Sequence, residues 1–168
     1  YEYDQLPQTI RRVLRHYIPS LFQPTPHYNT ATGKANYSFT LRLHDTKFIN
    51  SLLKTDIVSS HAIRLAGLVN ERQNEIDLHI NAPDVTYSGQ QIKNLVLNLK
   101  SEPQGLQTRI SAERKGEKGP HVIINAQGLI ADNAISSDIS FRIPGTSPVF
   151  GNVNSIASFS RRHGDLET

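Results

Sequence analysis

The stretch that decides the fold is NEIDLHINA, residues 74–82, because apolar and polar residues alternate along it without interruption. Its even-numbered positions from 76 onward are apolar, namely Ile76, Leu78, Ile80 and Ala82. The positions between them are polar, namely Glu75, Asp77, His79 and Asn81. A period of two is that of a strand with one buried face. The sequence therefore predicts a strand at 74–82 with its aliphatic side chains inward, followed by a break at APDVTYSGQQ, residues 82–91.

Alternation of the same kind recurs from Ala35 to the end of the chain. Polar segments rich in Gly, Pro and Asn separate the alternating runs: NERQN, SEPQG, RKGEKGP and IPGTSP. Such segments are typical of turns, and short connections favour pairing between consecutive strands. The sequence predicts a mainly β chain, built as a curved antiparallel sheet of about seven or eight strands.

Two short amphipathic helices are predicted beside this sheet. From Pro7 to Ile18, apolar residues recur at helical spacing: Ile10, Val13, Leu14, Tyr17 and Ile18. Pro19 disfavours helix at Ile18, so the first helix is expected to end there. A second helix is predicted near 45–54, with Phe48, Leu52 and Leu53 docked on the sheet. The chain is thus divided into an N-terminal helix, 1–24, and a β domain, 25–168, with a helix insertion near 45–54.

The predicted helices are too short to cover the predicted sheet. A strand of eight residues is about 26 Å long, whereas a helix over 45–54 spans only about 15 Å. Either the sheet curls onto itself, or part of its apolar face remains open for a ligand or for another segment of chain.

Composition narrows the class of protein without identifying a reaction. The 168 residues form one domain or a piece of a larger one, and their net charge of +3 is too balanced to require nucleic acid. The chain has no cysteine, which excludes disulfides, thiolate metal sites and cysteine catalysis. It has no methionine either, even at position 1, so we expect an excised or processed segment. No apolar run approaches the ~20 residues that span a bilayer.

Candidate reactive groups are sparse. None of the seven histidines shows the spacing of a zinc protease motif, and no nucleophile elbow or phosphate-binding glycine loop is present. Glu75, Asp77 and His79 share the polar side of one strand, where an ordinary solvated surface is the expected interpretation. The basic face of the first helix, formed by Arg11, Arg12, Arg15 and His16, is likewise expected to be solvated rather than bound to nucleic acid or anionic headgroups. We predict no catalytic residues, no metal and no cofactor.

Three stretches carry a resemblance to a known family: TGKANYSFTLRLHDTKFINSLL (32–53), IRLAGLVNERQNEIDLHINAPDVTYSGQQIKNLVLNLKS (63–101) and GLIADNAISSDISF (128–141). Together they resemble the TamB-like branch of the AsmA superfamily of Gram-negative envelope proteins, over most of residues 6–160. The resemblance implies an internal slice of a long periplasmic chain, anchored in the inner membrane by a segment absent here. It also implies a taco-like β-groove with an apolar interior, and a role in phospholipid transport between membranes and in outer-membrane biogenesis.

From this resemblance we expect a groove that accepts phospholipid acyl chains. The residues predicted to line it are Ile76, Leu78, Ile80, Leu95, Leu97, Leu99, Leu106, Ile110 and Ile124. Adjoining segments of the full-length chain are expected partners, with an outer-membrane barrel protein as a further candidate. Two alternatives stay open at this point. The aliphatic faces could form an ordinary sandwich core, or the chain could be a β-rich extracellular binding module such as an adhesin or glycan binder.

Overall fold

The computed structural model describes residues 5–22, 35–53, 55–115, 119–162 and 165–167. The chain is mainly β, with an open antiparallel sheet and two short helices, as the alternation predicted. The helices are α1 (Leu6–Tyr17) and α2 (Lys47–Leu53). The strands of the large sheet are β1 (Asn36–Leu43), β2 (Val58–Ser59), β3 (Ile63–Asn70), β4 (Glu75–Tyr87), β5 (Gln90–Glu102), β6 (Gly105–Arg114), β7 (Val122–Ala131), β8 (Ala134–Ile143) and β9 (Val149–Ser158). A separate ribbon consists of β10 (Ser160–Arg162) and β11 (Asp165–Glu167).

Consecutive strands pair throughout most of the sheet. Its order is β1-β3-β4-β5-β6-β7-β8-β9, every pairing is antiparallel, and β2 pairs with the far end of β4. Within the described part of the chain the sheet has nine strands, where seven or eight were predicted, and the two-residue β2 is too short to show a sequence period.

The strand predicted at 74–82 is present in the predicted register. Ile76 and Leu78 are buried, and Asp77 and His79 are exposed. The break predicted after it is wrong, because β4 continues through Pro83 to Tyr87. Pro83 lies between the pairs Ala82–Leu95 and Asp84–Lys93, where its missing N–H interrupts the ladder.

The actual turn after β4 is the two residues Ser88 and Gly89. Both have positive φ, 48° and 75°, as a tight hairpin between twisted antiparallel strands requires. A glycine at the second position meets this requirement without strain.

Helix α1 confirms the predicted stripe. Ile10, Val13, Leu14, Tyr17 and Ile18 are all buried, and the helix ends at Tyr17 with Ile18 as its cap. This stripe packs on β3 and β4, so helix and sheet share one hydrophobic core. The predicted boundary between residues 24 and 25 lies outside the described residues.

Helix α2 occupies most of the predicted segment. The carboxylate of Asp45 accepts a hydrogen bond from the Lys47 N–H at 3.0 Å, which caps the helix start. Ile49 is buried in the shared core. The side chains of Phe48, Leu52 and Leu53 lie outside the described part of the structure, so their predicted docking stays a prediction.

A close approach inside the core explains one glycine. Gly67 of β3 pairs with Phe39 of β1 and with Leu78 of β4. A Cβ at Gly67 would come within 2.6 Å of the Asp77 carbonyl oxygen and 3.2 Å of the Phe39 ring. Only glycine leaves room for this packing.

Candidate functional site

The strand register assembles one row of apolar side chains across the whole sheet. Directly paired residues of antiparallel strands point to the same face, so the pairings can be followed from strand to strand. We define the central row as the set of paired residues Leu41, Leu65, Ile80, Leu97, Ile110, Ala126, Ile139 and Val153. Every member is aliphatic, and this row is the middle of what we call the apolar face.

Exposure along the central row is lowest on β3 and β4, whereas Leu41 of β1 is half-buried and the members on β5 to β9 are half-buried or exposed. Leu65 is fully buried and Ile80 is 8% exposed, whereas Ile110 is 38% and Val153 49% exposed. The two helices account for this difference, because α1 packs on β3 and β4 and against α2. The apolar face is therefore a closed core at β1, β3 and β4, which we call the covered half. It is less buried over β5 to β9, which we call the open half, except at Leu106 of β6, which is 1% exposed.

The C-terminal end of α1 reaches across the hairpin turns at one end of the sheet. The Tyr17 hydroxyl hydrogen-bonds to the Asn74 carbonyl oxygen and to Ser101 Oγ, both at 2.8 Å. The Asn133 N–H donates to the Tyr17 carbonyl at 3.2 Å, and the Ser20 N–H donates to Asn133 Oδ1 at 2.9 Å. Three successive turns lie at this end of the sheet, and they contain or adjoin Asn74, Ser101 and Asn133. The C-terminal end of α1 therefore contacts all three turns.

The nine residues predicted to line a groove all lie on the apolar face, but in different surroundings. Four belong to the closed core: Ile76, Leu78, Ile80 and Leu106, with 1–8% exposure. Four are half-buried in the open half: Leu95, Leu97, Leu99 and Ile124. Ile110 is exposed. Of these last five residues, Leu95, Leu97 and Leu99 pack against the buried core.

Residues of β8 and β9 extend the same surface and were not predicted as site residues. Ile139 and Phe141 of β8 are half-buried, and Val149 and Val153 of β9 are about half exposed. Their alternation was visible in the sequence, but their place on a shared face depends on the pairing register. Pairing the predicted strands residue by residue, from one strand to the next, would have placed these residues on the shared face.

A bulge in β5 is held by a polar cluster. The register shifts between Lys93 and Val96, and Asn94 has a positive φ of 52°. The Asn94 amide donates to Glu113 at 3.0 Å, and His121 Nε2 lies 3.1 Å from the same carboxylate. These hydrogen bonds, that of Asn94 first, hold the pKa of Glu113 below its ordinary value.

The opposite face of the open half is polar and recessed. One depression of about 670 Å³ is lined mainly by polar side chains from β5 to β9: Asn98, Arg109, Ser111, Asn125, Gln127, Asp138, Ser140, Asn152 and Asn154. A second, of about 820 Å³, lies beside it. Arg109, Gln127, Asp138 and Asn154 are paired in register across four strands. The first depression is therefore mainly polar, although Ile110, Ala126 and Ile139 also border it, and the second includes Leu129 and Ile156.

The groups weighed for catalysis or metal binding are dispersed. Glu75, Asp77 and His79 are exposed, and His79 Nδ1 lies 2.5 Å from Asn98 Oδ1. Among the residues that the structure describes, no cluster of three or more His, Asp or Glu side chains could hold a metal ion. On the basic face of α1, Arg12 pairs with Glu71, and Arg11 donates to the Ser51 carbonyl. These two arginines tie the helix to the rest of the chain.

No helix among the described residues combines the length and the apolar character needed to cross a membrane. Comparisons with protein-family models, with curated proteins and with solved structures found no match. The TamB-like resemblance therefore rests on the three stretches quoted above.

Proposed function

We propose that this chain is a non-enzymatic, lipid-binding segment that accepts phospholipid acyl chains on the open half of its apolar face. The observation that supports the proposal is the difference in burial within the central row, between full burial at Leu65 and about half exposure at Val153. A continuous apolar surface that its own helices leave uncovered is typical of an interaction site.

The chemistry of an acyl chain suits this surface. Each buried methylene contributes about 0.8 kcal/mol without any requirement for direction, so an aliphatic lining is sufficient. Leu97, Ile110, Ala126 and Ile139 carry no polar side-chain atom and lie on four adjacent strands. A chain lying along this row, perpendicular to the strands, would contact one aliphatic side chain about every 4.8 Å.

The wider role follows from the family resemblance and is part of the proposal. We place the segment in the periplasm, within a longer TamB-like protein anchored in the inner membrane by a segment absent here. Its function there is phospholipid transport between membranes in support of outer-membrane biogenesis. Adjoining segments of the same chain, and an outer-membrane barrel protein, are the proposed partners.

The test is a charge placed on each face at neighbouring positions. Leu97→Asp puts a carboxylate in the central row, and Asn98→Asp puts one on the polar face. Because Leu97 is half-buried, its replacement can stay partly hydrated, so we expect the fold to survive. Leu97→Asp should weaken binding of a phospholipid with a fluorescent acyl chain at least tenfold, and Asn98→Asp should bind as the parent does.

Circular dichroism on both variants separates loss of binding from loss of fold. If Leu97→Asp unfolds the domain, Leu97 belongs to a closed core and the open face is wrong. If it folds and binds lipid as well as the parent, acyl chains do not use this row. In the full-length protein in cells, a photo-crosslinking residue at 97 should capture phospholipid, and capture of protein alone would contradict the proposal.

The polar depressions favour a second candidate, a β-rich extracellular binding module such as a glycan binder. Arg109, Gln127, Asp138 and Asn154 present donors and acceptors on one recessed surface. Under this alternative, Gln127→Ala should abolish binding to a glycan array while Leu97→Asp leaves it unchanged. Under the acyl-chain proposal, Leu97→Asp should weaken lipid binding and Gln127→Ala should leave it unchanged.

A further inference from the structure

Strand β9 is an edge strand without the usual protection against pairing. Its sequence, VFGNVNSIAS, contains no charged residue and no proline. Large apolar side chains are exposed on both of its faces: Val149 and Val153 at about 50%, and Phe150 and Ile156 at 69% and 79%. Soluble proteins usually shield such an edge with charges, proline or a bulge, because its free backbone groups can pair with another strand.

Strand β1, at the opposite edge of the sheet, is protected against pairing with another strand. Strand β1 turns Asn36, Ser38, Thr40 and Arg42 to solvent, and none of its large apolar residues is exposed. The two edges therefore differ in character although both are outermost strands of the large sheet. The free edge of β9 is the one suited to contact with a further strand.

The order of residues along β9 is complementary to itself when the strand is reversed. With a twofold axis through Val153, Phe150 faces Ile156 of the second copy, and Asn152 faces Asn154 of the second copy. On the apolar face, Val149 then meets Ala157, and Val153 meets its own equivalent. A shift by two residues in either direction places Phe150 opposite Asn154 or Ser158 instead, which loses the apolar match.

We propose that β9 is a homodimer interface, in which two copies of the chain pair edge to edge through antiparallel β9 strands centred on Val153. The uncharged strand brings no repulsion between copies, and a twofold contact closes on itself rather than growing into a fibre. An axis perpendicular to the sheet keeps both apolar faces on the same side. A contact made mainly by one strand is small, so the dimer is weak and depends on concentration.

A single cysteine tests the register, because the chain contains no other. Val153→Cys places two thiols opposite each other, within the ~4.5–5.5 Å that separates Cβ atoms of directly paired residues. Under mild oxidation it should give a covalent species of twice the 18.8 kDa chain mass on a non-reducing gel. Asn154→Cys should form no disulfide-linked dimer by itself but should cross-link when it is mixed with Asn152→Cys.

Light scattering on the unmodified chain tests the dimer itself. The average mass should rise with concentration, and Phe150→Lys should abolish the rise, whereas Val58→Lys, at another exposed apolar site, should leave it unchanged. Phe150 lies on the polar side of the sheet, so this result is independent of acyl-chain binding. If the parent chain stays monomeric at its highest soluble concentration, the homodimer proposal is wrong. The exposed edge of β9 would then suit a strand other than a second copy of β9. Equal cross-linking of Val153→Cys and Asn154→Cys would overturn the register.

Discussion

The covered half and the open half of the apolar face have the same sequence pattern and different surroundings. In β4, the inward residues Ile76, Leu78 and Ile80 are at most 8% exposed. In β6 to β9, inward residues such as Ile110 and Val153 are 38–49% exposed, although the strands alternate in a similar way. Alternation thus specifies which face is apolar, and the position of the helices decides how much of that face is closed. Replacements matched between the two halves test this distinction.

The largest expected effect comes from deleting a side chain in the covered half. Leu65 is fully buried beneath the helices, so Leu65→Ala leaves a cavity and should lower the free energy of unfolding by about 2–5 kcal/mol. Leu97→Ala, in the same row but half-buried, should cost only about 1 kcal/mol. Urea denaturation of both variants measures the difference. Equal losses in the free energy of unfolding would mean that Leu97 is as buried in solution as Leu65.

An intermediate effect is expected at the helix end that joins the two halves. Tyr17→Phe removes a hydroxyl bonded to the Asn74 carbonyl and to Ser101, at a partly buried position. Loss of a partner for this partly buried carbonyl should cost about 1 kcal/mol, near the lower end of the range for a lost hydrogen bond. Tyr87→Phe, at an exposed position, is the control and should be close to neutral. If the two variants lose the same stability, the helix end contributes nothing through these bonds.

The smallest effect concerns the bulge of β5, within the open half. Because the pKa of Glu113 is held below its ordinary value, the folded chain binds fewer protons there than the unfolded chain does. Its stabilising contribution is present at neutral pH and is lost as the pH falls below the usual range of a glutamate. Glu113→Gln should therefore make stability less dependent on acid pH.

A second variant identifies the cause of that shift. Asn94→Gly removes the amide donor but tolerates the positive φ, so NMR titration should show the pKa of Glu113 rising toward its ordinary value. An unchanged pKa would assign the shift to His121 instead.

The sequence was sufficient for the sheet, its inward residues and both helices, since each depends on a short local period. It failed at Pro83, where turn-forming residues favoured a break but the strand continues. The strand continues because its pairing with β5 resumes at Asp84 and Lys93, directly after the proline. The constraint on Gly67 was also missed, since the Phe39 ring that fills its space comes from a strand about thirty residues earlier.

For the candidate site, the sequence predicted the correct face but not its accessible part. Ile76, Leu78, Ile80 and Leu106 were grouped with Leu97 and Ile110 because all six share a period and a chemical character. What separates them is the path of α1 across the sheet, and that path depends on contacts between residues far apart in the chain. A local pattern contains no information about such contacts.

The anchorage of α1 also bears on the order in which the chain folds. The sheet grows by hairpins between neighbours in sequence, which close quickly because their loops are short. The helix end, in contrast, bonds to residues 57, 84 and 113 positions away from its donors and acceptors. During synthesis α1 is made before the sheet, yet its bonds to Asn133 form only after that residue has been added. Its apolar stripe packs on β3 and β4, so the stripe can be covered as soon as those strands are made, and the bonds to Asn133 complete the anchorage later.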